Sequence, residues 1–176
     1  MRADKITRKK ISTNLPLERK EKQEFPRGTK GIMFCSRCGI AYYKKSWHHA
    51  LEEYKSLPED APVKFVLCPA CQMIQNKQFE GEVKIKNIPE KEADGVARLV
   101  EGYGSRAYER DPLHRVIDIK KNKGERGTDL LVTTTENQLA NKLANKIKDA
   151  FNKVRITRSF SSGPSDVAYI TVEFVG

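Results

Sequence analysis

Residues 129–153, "DLLVTTTENQLANKLANKIKDAFNK", change hydrophobic period part-way along. Six of the first seven are Leu, Val and Thr, which predicts a strand. From Leu139 the apolar positions recur at steps of three and four: Leu139, Leu143, Ile147, Ala150, Phe151 and Val154. That spacing places them on one stripe of a helix. Thr135, followed three residues later by Gln138, reads as a capping box that starts the helix. On the N-terminal side, "HRVIDIKK" (114–121) is a second strand, joined through the Gly-containing loop "NKGERG" (122–127). On the C-terminal side, "VRITRSF" (154–160) and "VAYITVEFV" (167–175) alternate as a hairpin around "SSGPSD". The expectation for residues 113–176 is a β-β-α-β-β domain, an antiparallel four-stranded sheet with one packed helix, of α+β class.

Upstream, residues 89–112 read as a linking helix with Val96, Leu99 and Val100 at helical spacing and acids at its start. Gly95, Gly102 and Gly104 each weaken it by roughly 1 kcal/mol relative to Ala, so a short or bent helix is expected. Residues 31–88 hold all four cysteines. Within them "SWHHALEEYKSLPED" (46–60) reads as a helix opened by Ser46 and stopped at Pro58. "FEGEVKIKNIP" (79–89) reads as a half-buried strand. Residues 1–30 lack an apolar period and mix charge with Pro and Gly, which predicts a flexible basic arm.

The cysteines form two C-x2-C pairs, Cys35/Cys38 and Cys68/Cys71, with 29 residues between them. A tight turn in each pair points two thiolates the same way, and two pairs complete an all-thiolate tetrahedral site for one zinc ion. Gly39, just after the first pair, stands where such a turn favours positive φ. Four thiolates leave no open position for water, so the expected metal role is structural. A disulfide staple is the alternative, but the start "MRADKITRKKISTN" carries no secretory signal, which favours the cytoplasm and metal ligation. His48 and His49 could substitute as ligands, although four cysteines already suffice.

The chain carries a formal charge of +10 over 176 residues. Ten Lys/Arg against four Asp/Glu lie in the first thirty residues, and 23 against 19 in the other 146. Such a balance favours polyanionic partners, RNA first among them. No apolar run approaches the ~20 residues of a membrane-spanning helix. The expected RNA-contacting cations are Arg8, Lys9, Lys10 and Arg27 in the arm, Lys44 and Lys45 beside Tyr42, Tyr43 and Trp47, Lys142 and Lys146 on the helix, and Arg155 and Arg158 on a strand. Lys84 and Lys86 are further candidates, and His114 reads as structural or RNA-facing. "GYGSRA" (102–107) matches a dinucleotide fingerprint, but Pro112 follows too soon for the required helix and no βαβ unit surrounds it. No small-molecule substrate or catalytic constellation is evident, so a non-enzymatic protein is expected.

The two C-x2-C pairs, "DPLHRVIDI" and "LVTTTENQLANKLANKIKDAF" followed by a hairpin resemble a group of small bacterial zinc-ribbon proteins. That group is similar in turn to the nonsense-mediated-decay-three family, adaptors of the large ribosomal subunit. The resemblance covers roughly residues 33–174. It implies zinc ligation by Cys35, Cys38, Cys68 and Cys71 and association with the ribosome, in assembly, storage or translational control. The chain departs from that family in carrying fewer cysteine pairs and no further domains or export-type tail, which weighs against an export role. Two other classes stand beside this reading: a zinc-dependent protein-interaction module, and a DNA-binding regulator, for which no helix-turn-helix signal is present.

Overall fold

The computed structural model describes residues 31–49, 61–161 and 167–176. The predicted arm at 1–30 and most of the predicted helix at 46–60 lie outside the described residues. In chain order the elements are β1 (Ile32–Cys35), β2 (Ala41–Tyr43), β3 (Ser46–His48), β4 (Val63–Val66), α1 (Pro69–Gln75), β5 (Gly81–Ile88), α2 (Glu90–Arg110), β6 (Val116–Lys123), β7 (Thr128–Thr134), α3 (Asn137–Ala150), β8 (Val154–Phe160) and β9 (Ala168–Phe174). The architecture is α+β, with two mixed sheets among the described residues.

The larger sheet has five strands in the order β6-β7-β5-β9-β8. The two hairpins read from the sequence are present, but they do not meet. β5 lies between them, antiparallel to β7 and parallel to β9. This corrects the four-stranded antiparallel sheet and takes β5 out of the cysteine module. The geometry of α3 accounts for it. A helix is about 10 Å across and strands are about 4.8 Å apart, so a helix joining β7 to β8 spans more than one strand. α3 packs on both β5 and β9. Val83 and Ile85 of β5 are fully buried in the core with Val132, Leu143, Ile147 and Val172.

α3 buries Leu139, Leu143 and Ile147 as the spacing predicts, together with Ala140 and Ala144, whose small side chains let the helix sit close to the sheet. Ala150 is exposed, while Phe151 and Val154 are partly buried against the core. The predicted capping box is not formed. Glu136 occupies the cap without a side-chain bond, and the Thr135 hydroxyl donates to the Leu113 carbonyl at 2.6 Å instead.

α2 runs unbroken for 21 residues despite its glycines. Burial of Ala93, Val96, Val100 and Ala107 supplies tertiary stabilisation that outweighs local propensity. Gly104 has a packing role as well. A Cβ there would lie 2.7 Å from Cγ2 of Val116, so glycine permits the close approach of α2 to β6. "GYGSRA" is thus the interior of a helix rather than a phosphate-binding turn.

The smaller sheet has the order β3-β2-β1-β4, with β4 parallel to β1. Ser46 does not start a helix. Residues 46–48 pair antiparallel with 41–43 as β3. The turn between them places both Lys44 and Lys45 in the left-handed region, at φ 48° and 67°. Two positive φ values match the two-residue turns whose twist suits a hairpin. Trp47 lies against Tyr42, with ring centroids 5.3 Å apart.

Candidate metal centre

Each cysteine pair sits on its own local device. In the first, "CSRCG", the N–H of Gly39 donates to the Cys35 carbonyl and the N–H of Cys35 to the Ile40 carbonyl. Gly39 has φ 75°, the conformation the sequence reading assigns to it. In the second, "CPAC", Cys68 is the N-cap of α1 and Pro69 opens the helix, where its missing N–H costs nothing. Cys71 completes that first turn, and its N–H donates to the Cys68 sulfur at 3.3 Å.

The two devices bring all four sulfurs within 4.8 Å of one another, and none is disulfide-bonded. Cys38 Sγ and Cys68 Sγ are 3.7 Å apart. Thiolates about 2.3 Å from a shared tetrahedral ion stand roughly 3.8 Å apart, whereas bridged sulfurs stand about 2.05 Å apart. The spacing fits a shared ion. The group can hold one metal ion, and among the described residues no other His, Cys, Asp or Glu belongs to it. His48 and His49 are not in it. The Nε2 of His48 donates to the Tyr43 carbonyl at 3.3 Å, and that of His49 to the Tyr108 carbonyl at 2.6 Å.

Every sulfur also accepts a hydrogen bond. Cys35 Sγ accepts from the Cys68 N–H at 3.3 Å, and Cys68 Sγ from that of Cys71. The other two are served by Arg115, just before β6. Its Nη2 donates to Cys38 Sγ at 3.2 Å, and its Nη1 approaches Cys71 Sγ at 3.7 Å. Three further contacts hold Arg115 in place. Nε donates to the Pro112 carbonyl at 2.9 Å, the guanidinium lies 4.9 Å over the Tyr108 ring, and the backbone N–H donates to the Thr135 hydroxyl at 2.8 Å. The Thr135 displaced from its predicted cap therefore holds the entry to β6, where Arg115 lies. Leu113 adds an apolar contact to the cluster of Cys35, Ile40, Cys68, Ala70 and Cys71.

Arg115 forms no ion pair with a carboxylate among the described residues. A partly buried guanidinium without a counter-charge is unfavourable, and neutral thiols supply none. Thiolates do. Burial works to lower the basicity of Arg115, but the Cys38 hydrogen bond and the charges of Cys38, Cys71 and Cys68 hold it above its ordinary range. In the metal-free centre burial also acts on Cys35, but the backbone N–H groups of Cys68, Cys38 and Arg37 outweigh it and pull the thiol down to about 6. Burial and the neighbouring Cys38 push Cys71 up to about 11, and burial drives Cys68 further in the same direction.

No protein-family model matches the chain, and no curated protein matches it.

Sequence reasoning names all four sulfurs and misses Arg115. No spacing rule connects an Arg 44 residues after Cys71 with that cysteine; only the packing of β6 does. Among the described residues, the predicted RNA-contacting cations lie on three elements, the β2–β3 turn, α3 and β8. Arg8, Lys9, Lys10 and Arg27 lie outside the described residues. Lys44 and Lys45 are exposed at the β2–β3 turn, and Lys142 and Lys146 are exposed on α3. Arg158 donates to the side-chain oxygens of Asn141 at 3.0 Å and Asn145 at 2.5 Å. Arg155 alternates with it on β8, so it projects from the opposite sheet face. On that face Lys84 pairs with Glu82 at 3.1 Å and Lys120 with Asp118 at 3.3 Å, so the sheet surface is not a net cationic platform. His114 lies 3.6 Å from Asp111.

Proposed function

We propose that this chain is a non-enzymatic, zinc-binding RNA-binding protein of the cytoplasm, associated with the large ribosomal subunit. The observation that carries the zinc reading is the partly buried Arg115 guanidinium directed at a closed four-sulfur group. Cys35, Cys38, Cys68 and Cys71 would hold one structural ion. Thiolate softness and tetrahedral four-sulfur spacing favour zinc over hard divalent cations. A bound zinc ion would supply a rigid, redox-inert crosslink between the β1–β2 turn and the start of α1. Through Arg115 and Leu113 that crosslink fixes the smaller sheet against the larger unit.

The charge of +10 and the exposed Lys44–Lys45 tip support a nucleic-acid partner. A non-glycine residue in the left-handed region costs roughly 1 kcal/mol or more, and such strain concentrates at functional positions. Two adjacent lysines held that way at an exposed tip suit phosphate contact. The family resemblance supports the ribosome as the source of the RNA. The test is sedimentation of the zinc-loaded protein with ribosomes and separated subunits across a salt series. Co-migration with the large subunit at low salt, lost as salt rises, is expected; migration as free protein at every salt concentration refutes the proposal.

One observation favours a protein-interaction module as a second reading. Edge strand β4 exposes Phe65 at 73 % and Val63 at 51 %. Binding to a partner that resists both salt and ribonuclease supports that reading over the first.

A further inference from the structure

α2 and α3 leave an open groove of about 520 Å³ lined by Tyr103, Arg106, Glu109, Arg110 and Lys146. Its charge is one-sided, with three cations facing one carboxylate. None of the three cations forms an ion pair among the described residues. Arg106 and Arg110 are one helical turn apart, and the Nε of Arg110 donates to the Arg106 carbonyl at 3.1 Å. That bond anchors the Arg110 side chain along the helix and leaves its terminal nitrogens for another acceptor. Tyr103, one turn earlier, is partly buried against the core of the larger unit and forms an aromatic wall of the groove. Lys146 faces them from α3.

From this arrangement we infer that the α2–α3 groove binds the backbone of single-stranded RNA. Arg106, Arg110 and Lys146 contact phosphates, and Tyr103 offers a face to a base. The inference rests on the RNA-binding reading and gives it a location. Charge complementarity selects the occupant. A rise of about 6 Å between Arg106 and Arg110 is comparable to the separation of neighbouring phosphates along a strand. Guanidinium groups also suit planar, bidentate contact with phosphate oxygens. The aromatic wall favours an unpaired base over a duplex, whose bases are already stacked. Of the four groove residues placed on the RNA, the sequence reading singles out only Lys146, because α2 reads there as a short or bent linking helix.

The experiment measures binding of fluorescently labelled single-stranded and duplex RNA to the full zinc-loaded chain across a salt series. The variants are Arg106→Gln/Arg110→Gln and Glu109→Gln. Charge-matched controls elsewhere are Lys120→Gln/Lys121→Gln on β6 and Glu101→Gln on α2. The groove double variant is expected to weaken single-strand binding about tenfold at low salt. Its log–log salt slope should fall by about 1.4, at roughly 0.7 for each lost phosphate contact. Glu109→Gln is expected to tighten binding, and Glu101→Gln to change it little; this opposite response would not follow from a purely structural role. Wild-type binding that both groove variants reproduce unchanged overturns the groove and leaves the RNA reading standing, as does a clear preference for duplex. Absence of wild-type RNA binding at low salt overturns both.

Discussion

Replacing Arg115 by Met removes the hydrogen bond to Cys38 at 3.2 Å and the charge facing Cys71 at 3.7 Å, while retaining most of the side-chain stem. A divalent ion in four thiolates carries a net double negative charge, and Arg115 provides the cationic side-chain contact to that sulfur group. Hydrogen bonds to charged acceptors contribute about 1.5–3 kcal/mol. The longer contact is at the limit of useful geometry, so one such bond is the appropriate measure. This corresponds to a fall in metal affinity of roughly tenfold to a hundredfold, the usual range for outer-shell partners of metal ligands. Arg115→Lys should fall between, keeping a cation but not the fork that spans two sulfurs. The assay is competition with a chromophoric chelator at fixed pH, with circular dichroism confirming that α2 and α3 remain. An affinity for Arg115→Met equal to that of wild type would refute the claim that the guanidinium compensates thiolate charge.

Cys68→Ser should abolish metal binding and loosen the four-stranded sheet and α1, while the five-stranded sheet and its two helices stay folded, because their core contains none of the cysteines. Limited proteolysis should then return a fragment beginning near β5; global unfolding contradicts the separation. Metal affinity should rise with pH. Cys71, held up at about 11, and Cys68, shifted the same way, carry protons in the metal-free centre and must release them on binding. Those two thiols alone contribute about two log units per pH unit between pH 6.5 and 8.5, and Cys35, down near 6, adds to the slope only under more acidic conditions. A flat profile in competition titrations would show that the ligands are already deprotonated. Gly104→Ala gains about 1 kcal/mol of helix propensity but places a methyl 2.7 Å from Val116, an overpacking cost of about 1–3 kcal/mol. Net destabilisation in denaturant melts is expected; a stabilised variant would show that α2 can shift away from β6.

Elements whose identity depends on local period were legible in the sequence. β7, α3, β8 and β9 lie where alternation and three-to-four spacing place them, because each buries one face against a shared core. The position of β5 was not legible. Alternation identifies a strand but not its neighbours, and only the breadth of α3 over the sheet makes room for it between β7 and β9. The glycines of α2 are losses on the propensity scale, yet Gly104 is required by the approach of Val116. Ser46 is a good helix cap, and at β3 the paired register with β2 and the two left-handed lysines override that preference. Of the metal centre, the four sulfurs follow from C-x2-C spacing. Arg115 does not, since its role arises from tertiary packing through Thr135, Tyr108 and Leu113.

Native mass spectrometry of the reduced full-length chain, with and without a strong chelator, tests the central claim most directly. One zinc ion per chain is expected, with all four thiols protected from alkylation until the ion is removed. A folded chain that carries no metal, with its thiols freely alkylated or joined as disulfides, contradicts the account.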